Sequence, residues 1–126
     1  AKVPVISINV SLKDDGYPKR CAALANESLK VLGIEPMVEQ ERDVRTDLNY
    51  YHPGYEIPSE SASKAIRLLA ETEGLFVDPV YTGKAFAGML DYIRTGKVEP
   101  GSNVVFLHTG GATALFAEKE ILGKLF

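Results

Sequence analysis

The sequence predicts an α/β fold, three layers of α/β/α built on a mostly parallel sheet. Two observations carry this. Short runs rich in β-branched and apolar residues alternate with longer segments whose apolar residues recur at helical spacing, the pattern of parallel strands joined by crossover helices. The chain has 126 residues, 45% hydrophobic and 25% charged, which suits one core of ordinary size. No internal repeat or low-complexity segment interrupts the pattern.

Taken in order, residues 3–10 (VPVISINV) read as a buried strand. A strand so close to the first residue predicts that its partners lie upstream, in a longer protein. Residues 11–16 read as a polar loop. Residues 18–32 predict a helix, with Pro18 in its first turn and Gly33 just past its end. Ala22, Ala25, Leu29 and Leu32 share one face. Residues 34–38 predict a second strand, short or at an edge because of Pro36. Residues 41–58 show no clean period and contain Tyr50, Tyr51, His52, Pro53, Gly54 and Tyr55 in succession to an acidic and basic stretch. Segments of that length without regular structure are commonly functional or disordered. Clustered tyrosines favour burial or ligand contact over disorder.

A second helix is predicted over residues 60–73, capped by Ser59 or Ser61, striped by Ala62, Ala65, Ile66 and Leu69, and ended by Gly74. Residues 75–77 predict a very short buried strand and residues 78–81 a turn. Thr82 is placed to cap a third helix over residues 83–96, with Phe86, Met89, Leu90 and Ile93 on its core face. Residues 103–107 predict the last strand, and residues 112–117 a short helix after His108, Thr109, Gly110 and Gly111.

The net charge of −3 lacks the basic footprint of a nucleic-acid binder. No apolar run approaches the roughly 18 residues that cross a bilayer. Neither nucleic acid nor membrane is therefore an expected partner. One cysteine, Cys21, favours a reducing, cytoplasmic setting, and its alanine neighbours favour a small buried hydrophobe over a thiol nucleophile. His52 and His108 lack further ligands at a recognisable spacing, so no metal is expected and each reads as a hydrogen-bonded structural residue.

In open parallel sheets, ligands bind beyond the carboxyl ends of the strands. Two segments fall there: Val80, Tyr81, Thr82, Gly83, Lys84, and Thr109, Gly110, Gly111. Each joins a hydroxyl to glycine at a helix start, where backbone can approach a ligand and free N–H groups favour negative charge. Taken singly, Thr82 reads as a cap, Gly110 and Gly111 as a turn, and Lys84 as a solvated side chain.

Taken together they carry more. EGLFVDPVYTGKA (residues 73–85), GMLDYIR (88–94), and GSNVVFLHTGG (101–111) followed by Ala114, Leu115 and Phe116 resemble the D-cysteine desulfhydrases and 1-aminocyclopropane-1-carboxylate (ACC) deaminases. GYEIP (54–58) and AIRLLA (65–70) match in order and spacing. The resemblance covers roughly residues 3–117. It implies a pyridoxal 5'-phosphate enzyme of the tryptophan synthase β-like fold, a small amino-acid substrate, and a homodimer. It also implies that the lysine holding the cofactor and the phosphate-binding loop lie in an N-terminal part, whose motifs are not found here. On this reading residues 1–126 are the C-terminal part of a lyase, one domain, inactive without the rest and prone to self-association.

The resemblance assigns Tyr55 and Tyr81 as catalytic residues whose hydroxyls approach the substrate. It assigns Thr82 to the pyridine nitrogen of the cofactor, Thr109 to a neighbouring position on the ring, and Gly110 to a close approach of the loop. ACC deaminase-like proteins carry Glu where this chain has Thr82 and Leu where it has Thr109. A carboxylate at the ring nitrogen favours its protonated form, a stronger electron sink, whereas a threonine hydroxyl can donate to an unprotonated nitrogen. The expectation is therefore α,β-elimination of D-cysteine to pyruvate, sulfide and ammonia. ACC deamination, elimination from another β-substituted amino acid, or a non-catalytic α/β module are the alternatives.

Overall fold

The computed structural model describes residues 3–11 and 14–117. Two residues of the predicted polar loop, 12 and 13, lie outside that set. In chain order the elements are β1 (Ile6–Ile8), α1 (Tyr17–Val31), α2 (Gln40–Asp43), β2 (Arg45–Asp47), α3 (Glu60–Glu73), α4 (Thr82–Arg94) and α5 (Ala114–Ala117).

The sheet is parallel, but its partners differ from those predicted. β1 pairs with β2, Ile6 opposite Arg45 and Ile8 opposite Asp47. The predicted strand over residues 34–38 does not form. Asn26 of α1 explains why: its amide donates to Val38 O at 2.9 Å and accepts from Val38 N–H at 2.9 Å. One side chain thus satisfies both backbone groups that a ladder would use. Residues 75–77 and 103–107 run without ladder partners among the described residues. Val105 is 90% exposed and Leu107 79%, so this run leaves apolar surface open.

The helices follow the periodicity more closely. Pro18 sits in the first turn of α1, and Ala22, Ala25 and Leu29 turn inward to differing degrees. Leu32 is exposed, because the helix stops before it. Cys21 is half-buried and not the fully buried hydrophobe expected. In α3, Ala62, Ala65, Ile66 and Leu69 are all buried, Ser59 Oγ accepts from Ala62 N–H at 3.1 Å, and Gly74 ends the helix at φ 66°. α4 begins at Thr82, one residue earlier than predicted. Phe86 is buried, Met89 and Leu90 pack against the core, and Ile93 is exposed.

The core forms where α3 meets α4, with Ile66, Leu69, Val77, Phe86, Ala87 and Leu115 in one cluster. Burying side chains such as Ile66 and Leu69 contributes about 1.5–3 kcal/mol each. Phe106 packs edge-on against Phe86, with ring centroids 5.3 Å apart. Two glycines set the approach of α4. A Cβ on Gly83 would lie 2.5 Å from Asp78 O and 2.9 Å from Ile66 Cδ1. A Cβ on Gly88 would lie 3.3 Å from Ile8 of β1. Gly83 therefore serves helix packing and the turn before it, where sequence alone suggested close approach to a ligand.

Gly83→Ala is expected to cost roughly 1–3 kcal/mol, because the backbone atom it meets cannot swing away. Ser59→Ala removes only a cap and should cost about 1 kcal/mol. Urea unfolding midpoints of the two variants, compared with the parent, check the ordering.

Candidate functional site

The site is organised around the turn that leads into α4. Asp78 is fully buried, and its carboxylate gathers this turn. Oδ2 accepts from Val80 N–H at 2.8 Å and Tyr81 N–H at 2.6 Å; Oδ1 accepts from Thr82 N–H at 2.7 Å. The Thr82 hydroxyl lies 2.5 Å from Oδ1 and also accepts from Asp78 N–H at 2.9 Å. Burial works to raise the Asp78 pKa. The bonds from the Thr82 hydroxyl and from the N–H groups of Thr82, Tyr81 and Val80 outweigh it and hold the group below its ordinary value. Tyr81, and not Thr82, holds the N-cap position of α4, and the Asp78 carboxylate accepts the N–H of Thr82, the first residue of the helix. The Thr82 proton is already given to this carboxylate, so the free donor expected at position 82 is not present.

The tyrosine-rich segment folds onto α4 through three ties. The Tyr50 hydroxyl donates to Asp91 Oδ2 at 2.6 Å. Lys84 Nζ donates to Gly54 O at 2.6 Å and Tyr51 O at 3.2 Å. Tyr55 and Tyr81 join hydroxyl to hydroxyl, their rings edge-on with centroids 5.8 Å apart. Lys84 is 1% exposed, which corrects its reading as a solvated side chain. Burial lowers its pKa, and the two carbonyls take the place of a carboxylate partner. The bond to Tyr81 first, then burial and nearby negative charge, push Tyr55 up to about 12. Tyr55 is therefore neutral at physiological pH and acts through its hydroxyl proton. Burial, and then the hydrogen bond to Asp47, likewise push Tyr92 up to about 12, and the Tyr92–Asp47 bond of 2.8 Å ties β2 to α4.

A cavity of about 520 Å³ opens between β1, α4 and residues 104–109. Tyr81, Thr82 and Thr109 line it together, beside Ala85, Met89 and Phe106. Tyr55 is not on its lining and reaches it through Tyr81. Gly110 sits beside Thr109 at φ 104° with open space where a Cβ would stand. Gly111, at φ 85°, is fixed instead by Asp78: a Cβ there would lie 2.7 Å from Oδ1. His108 holds this loop, its Nδ1 accepting from Gly110 N–H at 3.1 Å and its Nε2 lying 2.9 Å from Phe76 O. Nδ1 as acceptor leaves Nε2 to donate, the structural role expected of this histidine.

Four of the five sequence-predicted residues thus meet in or beside one cavity, and Tyr55 joins by a hydrogen bond. Asp78 and Lys84 are the residues that sequence reasoning passed over. The signal for Asp78 was an Asp placed to bond its own turn, four residues before a helix-start Thr. For Lys84 it was the small pair Ala87 and Gly88 three and four residues on, marking a closely packed face.

Lys84→Met keeps the stem and removes the donors, leaving two carbonyls unpaired. It should cost about 1–3 kcal/mol in chemical unfolding. Asp78 and Asp47 both titrate below the ordinary 3.8 in the folded state. For Asp47, bonds from Tyr92 and Asn49 outweigh the effect of burial. Depressed carboxylates give stability that is present above the unfolded pKa and lost as pH falls through the folded value. Unfolding midpoints should hold from pH 7 to about 5 and fall below about 4, and Asp78→Asn should flatten that fall.

The chain matches the profile of the family described as pyridoxal-phosphate dependent enzyme over residues 12–110. Among curated relatives, 1-aminocyclopropane-1-carboxylate deaminase of Burkholderia cenocepacia is 42% identical over 113 residues, 90% of this chain and 33% of that protein. A probable 1-aminocyclopropane-1-carboxylate deaminase of Schizosaccharomyces pombe is 37% identical over the same shares. A crystal structure described as an ACC deaminase homologue superimposes with a TM-score of 0.78 at 29% identity, covering 98% of this chain and 36% of the other. The chain thus spans about a third of the length of the curated relatives it matches. With a profile match across most of its residues and a shared tryptophan synthase β-like fold, the chain belongs to the pyridoxal-phosphate-dependent enzymes.

Proposed function

We propose that residues 1–126 form the ring-facing and substrate-facing wall of a pyridoxal-phosphate lyase, completed by an N-terminal part that carries the cofactor's lysine and phosphate loop. The wall suits the ring in kind. Apolar side chains such as Ala85, Met89 and Phe106 can lie against its faces, and the hydroxyls of Thr82 and Thr109 can meet its polar edge. Among the described residues no lysine, arginine or histidine side chain lines the cavity. Pyridoxal phosphate, when bound, supplies an electron sink for the charge left at Cα on loss of a proton.

The reaction proposed is α,β-elimination of D-cysteine to pyruvate, sulfide and ammonia. The observation that carries it is the neutral character of the wall: Thr82 and Thr109 share the cavity, and no carboxylate of the described residues lines it. Tyr81, on the cavity, orients the substrate and can pass a hydroxyl proton to a departing group. Tyr55 fixes the Tyr81 hydroxyl, and one proton of the pair stays free for the substrate. Gly110 leaves room for the ring beside Thr109. The domain acts as one of two walls in each subunit of a homodimer in the cytoplasm.

ACC deamination is the second reading. The names of the relatives favour it, as does the Asp78 carboxylate directly behind Thr82.

The full-length protein loaded with pyridoxal phosphate should release sulfide from D-cysteine. Ammonia from ACC without sulfide from D-cysteine would reverse the order of the two readings. Tyr81→Phe should lower kcat by about 10²-fold or more, as for loss of a proton-transfer group. Wild-type rates in both Tyr81→Phe and Thr82→Ala would remove these residues from the site.

A further inference from the structure

We infer that Lys84 is a positioning residue for the reaction: by holding the Gly54 carbonyl it sets the Tyr55 hydroxyl against Tyr81, and through that pair it governs the rate. The inference rests on the reading that brings Tyr55 and Tyr81 to the substrate, and it deepens that reading.

Tyr55 has little else to keep it in place. It is 44% exposed and Tyr81 is 46% exposed, so packing locks neither ring. The chain between β2 and α3 contains no helix or strand. Among the described residues, the backbone of 50–58 makes one bond to other backbone, from Ile57 N–H to Gly54 O, at a long 3.4 Å. Lys84 Nζ reaches the same oxygen at 2.6 Å and Tyr51 O at 3.2 Å. An ammonium donor makes a shorter and stronger bond than an amide, so Lys84 is the group that fixes this carbonyl.

Gly54 O belongs to the peptide unit that carries Tyr55 N. That unit is planar, so a fixed carbonyl direction also fixes where Tyr55 N and Cα lie. Tyr81 directly precedes α4, and Lys84 lies three residues on, about one turn along the same face. The two side chains hold one residue from both ends: Tyr81 at the Tyr55 hydroxyl, Lys84 at the peptide before it. Without Lys84 the Tyr55 backbone is free to swing, and Tyr81 loses the partner that orients its proton. Lys84 is buried and does not line the cavity, so it acts through the tyrosines and not on the substrate.

The test is a double-mutant cycle on the full-length enzyme loaded with pyridoxal phosphate. The readout is kcat for sulfide from D-cysteine or ammonia from ACC, whichever the wild type releases. Misplacement of a reacting group by about 1 Å slows reactions by up to about 10²-fold, and Lys84→Met should lower kcat by about 10-fold. In a Tyr55→Phe background, where the hydroxyl is already gone, it should cost no more than about twofold. Ser59→Ala, which weakens α3 and touches neither tyrosine, should leave kcat unchanged in both backgrounds. An equal loss from Lys84→Met in both backgrounds would mean structural support alone and overturns the inference; so does an unchanged kcat in Lys84→Met. A wild-type rate in Tyr55→Phe removes Tyr55 from the site, and the underlying reading fails with it. If Tyr55→Phe slows the enzyme and Lys84→Met adds independently or does nothing, the inference alone fails. Should Lys84→Met not fold, Lys84→Gln, whose shorter amide cannot span both carbonyls, goes through the same cycle with the same outcomes.

Discussion

The buried carboxylate of Asp78 is the constraint on which the rest of the site depends. Four donors from three consecutive residues converge on its two oxygens, so the turn from residue 78 to residue 82 has one shape. That shape sets the start of α4 and the direction of the Thr82 hydroxyl. It also demands glycine twice, at Gly83 against the Asp78 carbonyl and at Gly111 against its side chain. An ion without a counter-ion is costly to bury unless hydrogen bonds replace its water. Here they do, and the cost of removing any one of them is shared by the helix, the turn and the cavity wall.

α4 then distributes that rigidity. Its first turn carries Lys84, whose ammonium holds two carbonyls of the tyrosine-rich segment. Its last turns carry Asp91 and Tyr92, which bond Tyr50 and Asp47. A segment without regular structure is thereby tied along the length of one helix, and Tyr55 is delivered to Tyr81. The pairing of β1 with β2 is fastened to the same helix by Tyr92 and by the close approach of Gly88 to Ile8. The segments that line the cavity are held by a buried helix start, which suits a site that must keep its geometry.

The legible parts of the sequence were those where local chemistry and tertiary context agree. The stripe of α3 is buried as its spacing requires, and Ser59 and Gly74 bound it. The two glycine-bearing segments lie on one cavity, as their places after short apolar runs suggested. The illegible parts were those decided by a partner far along the chain. Arg45, Thr46 and Asp47 have no strand signature, yet they form β2 because the backbone of β1 needs a partner. Residues 34–38 have that signature and are diverted by Asn26. Lys84 has the composition of a surface residue and lies inside, because carbonyls some thirty residues earlier in the chain accept its protons.

The sequence by itself determined the α/β class, the helix stripes, the caps at Ser59 and Gly74, and the motif residues that carry the family likeness. These follow from periodicity and from side chains acting within a few residues of themselves. Only the tertiary structure decided which segments pair as strands, that Lys84 is buried, that Tyr55 meets Tyr81, and that Thr82 gives its proton to Asp78. Each of these is the satisfaction of a particular buried donor or acceptor. Sequence states which groups need a partner, and only the fold states which partner is within 3 Å.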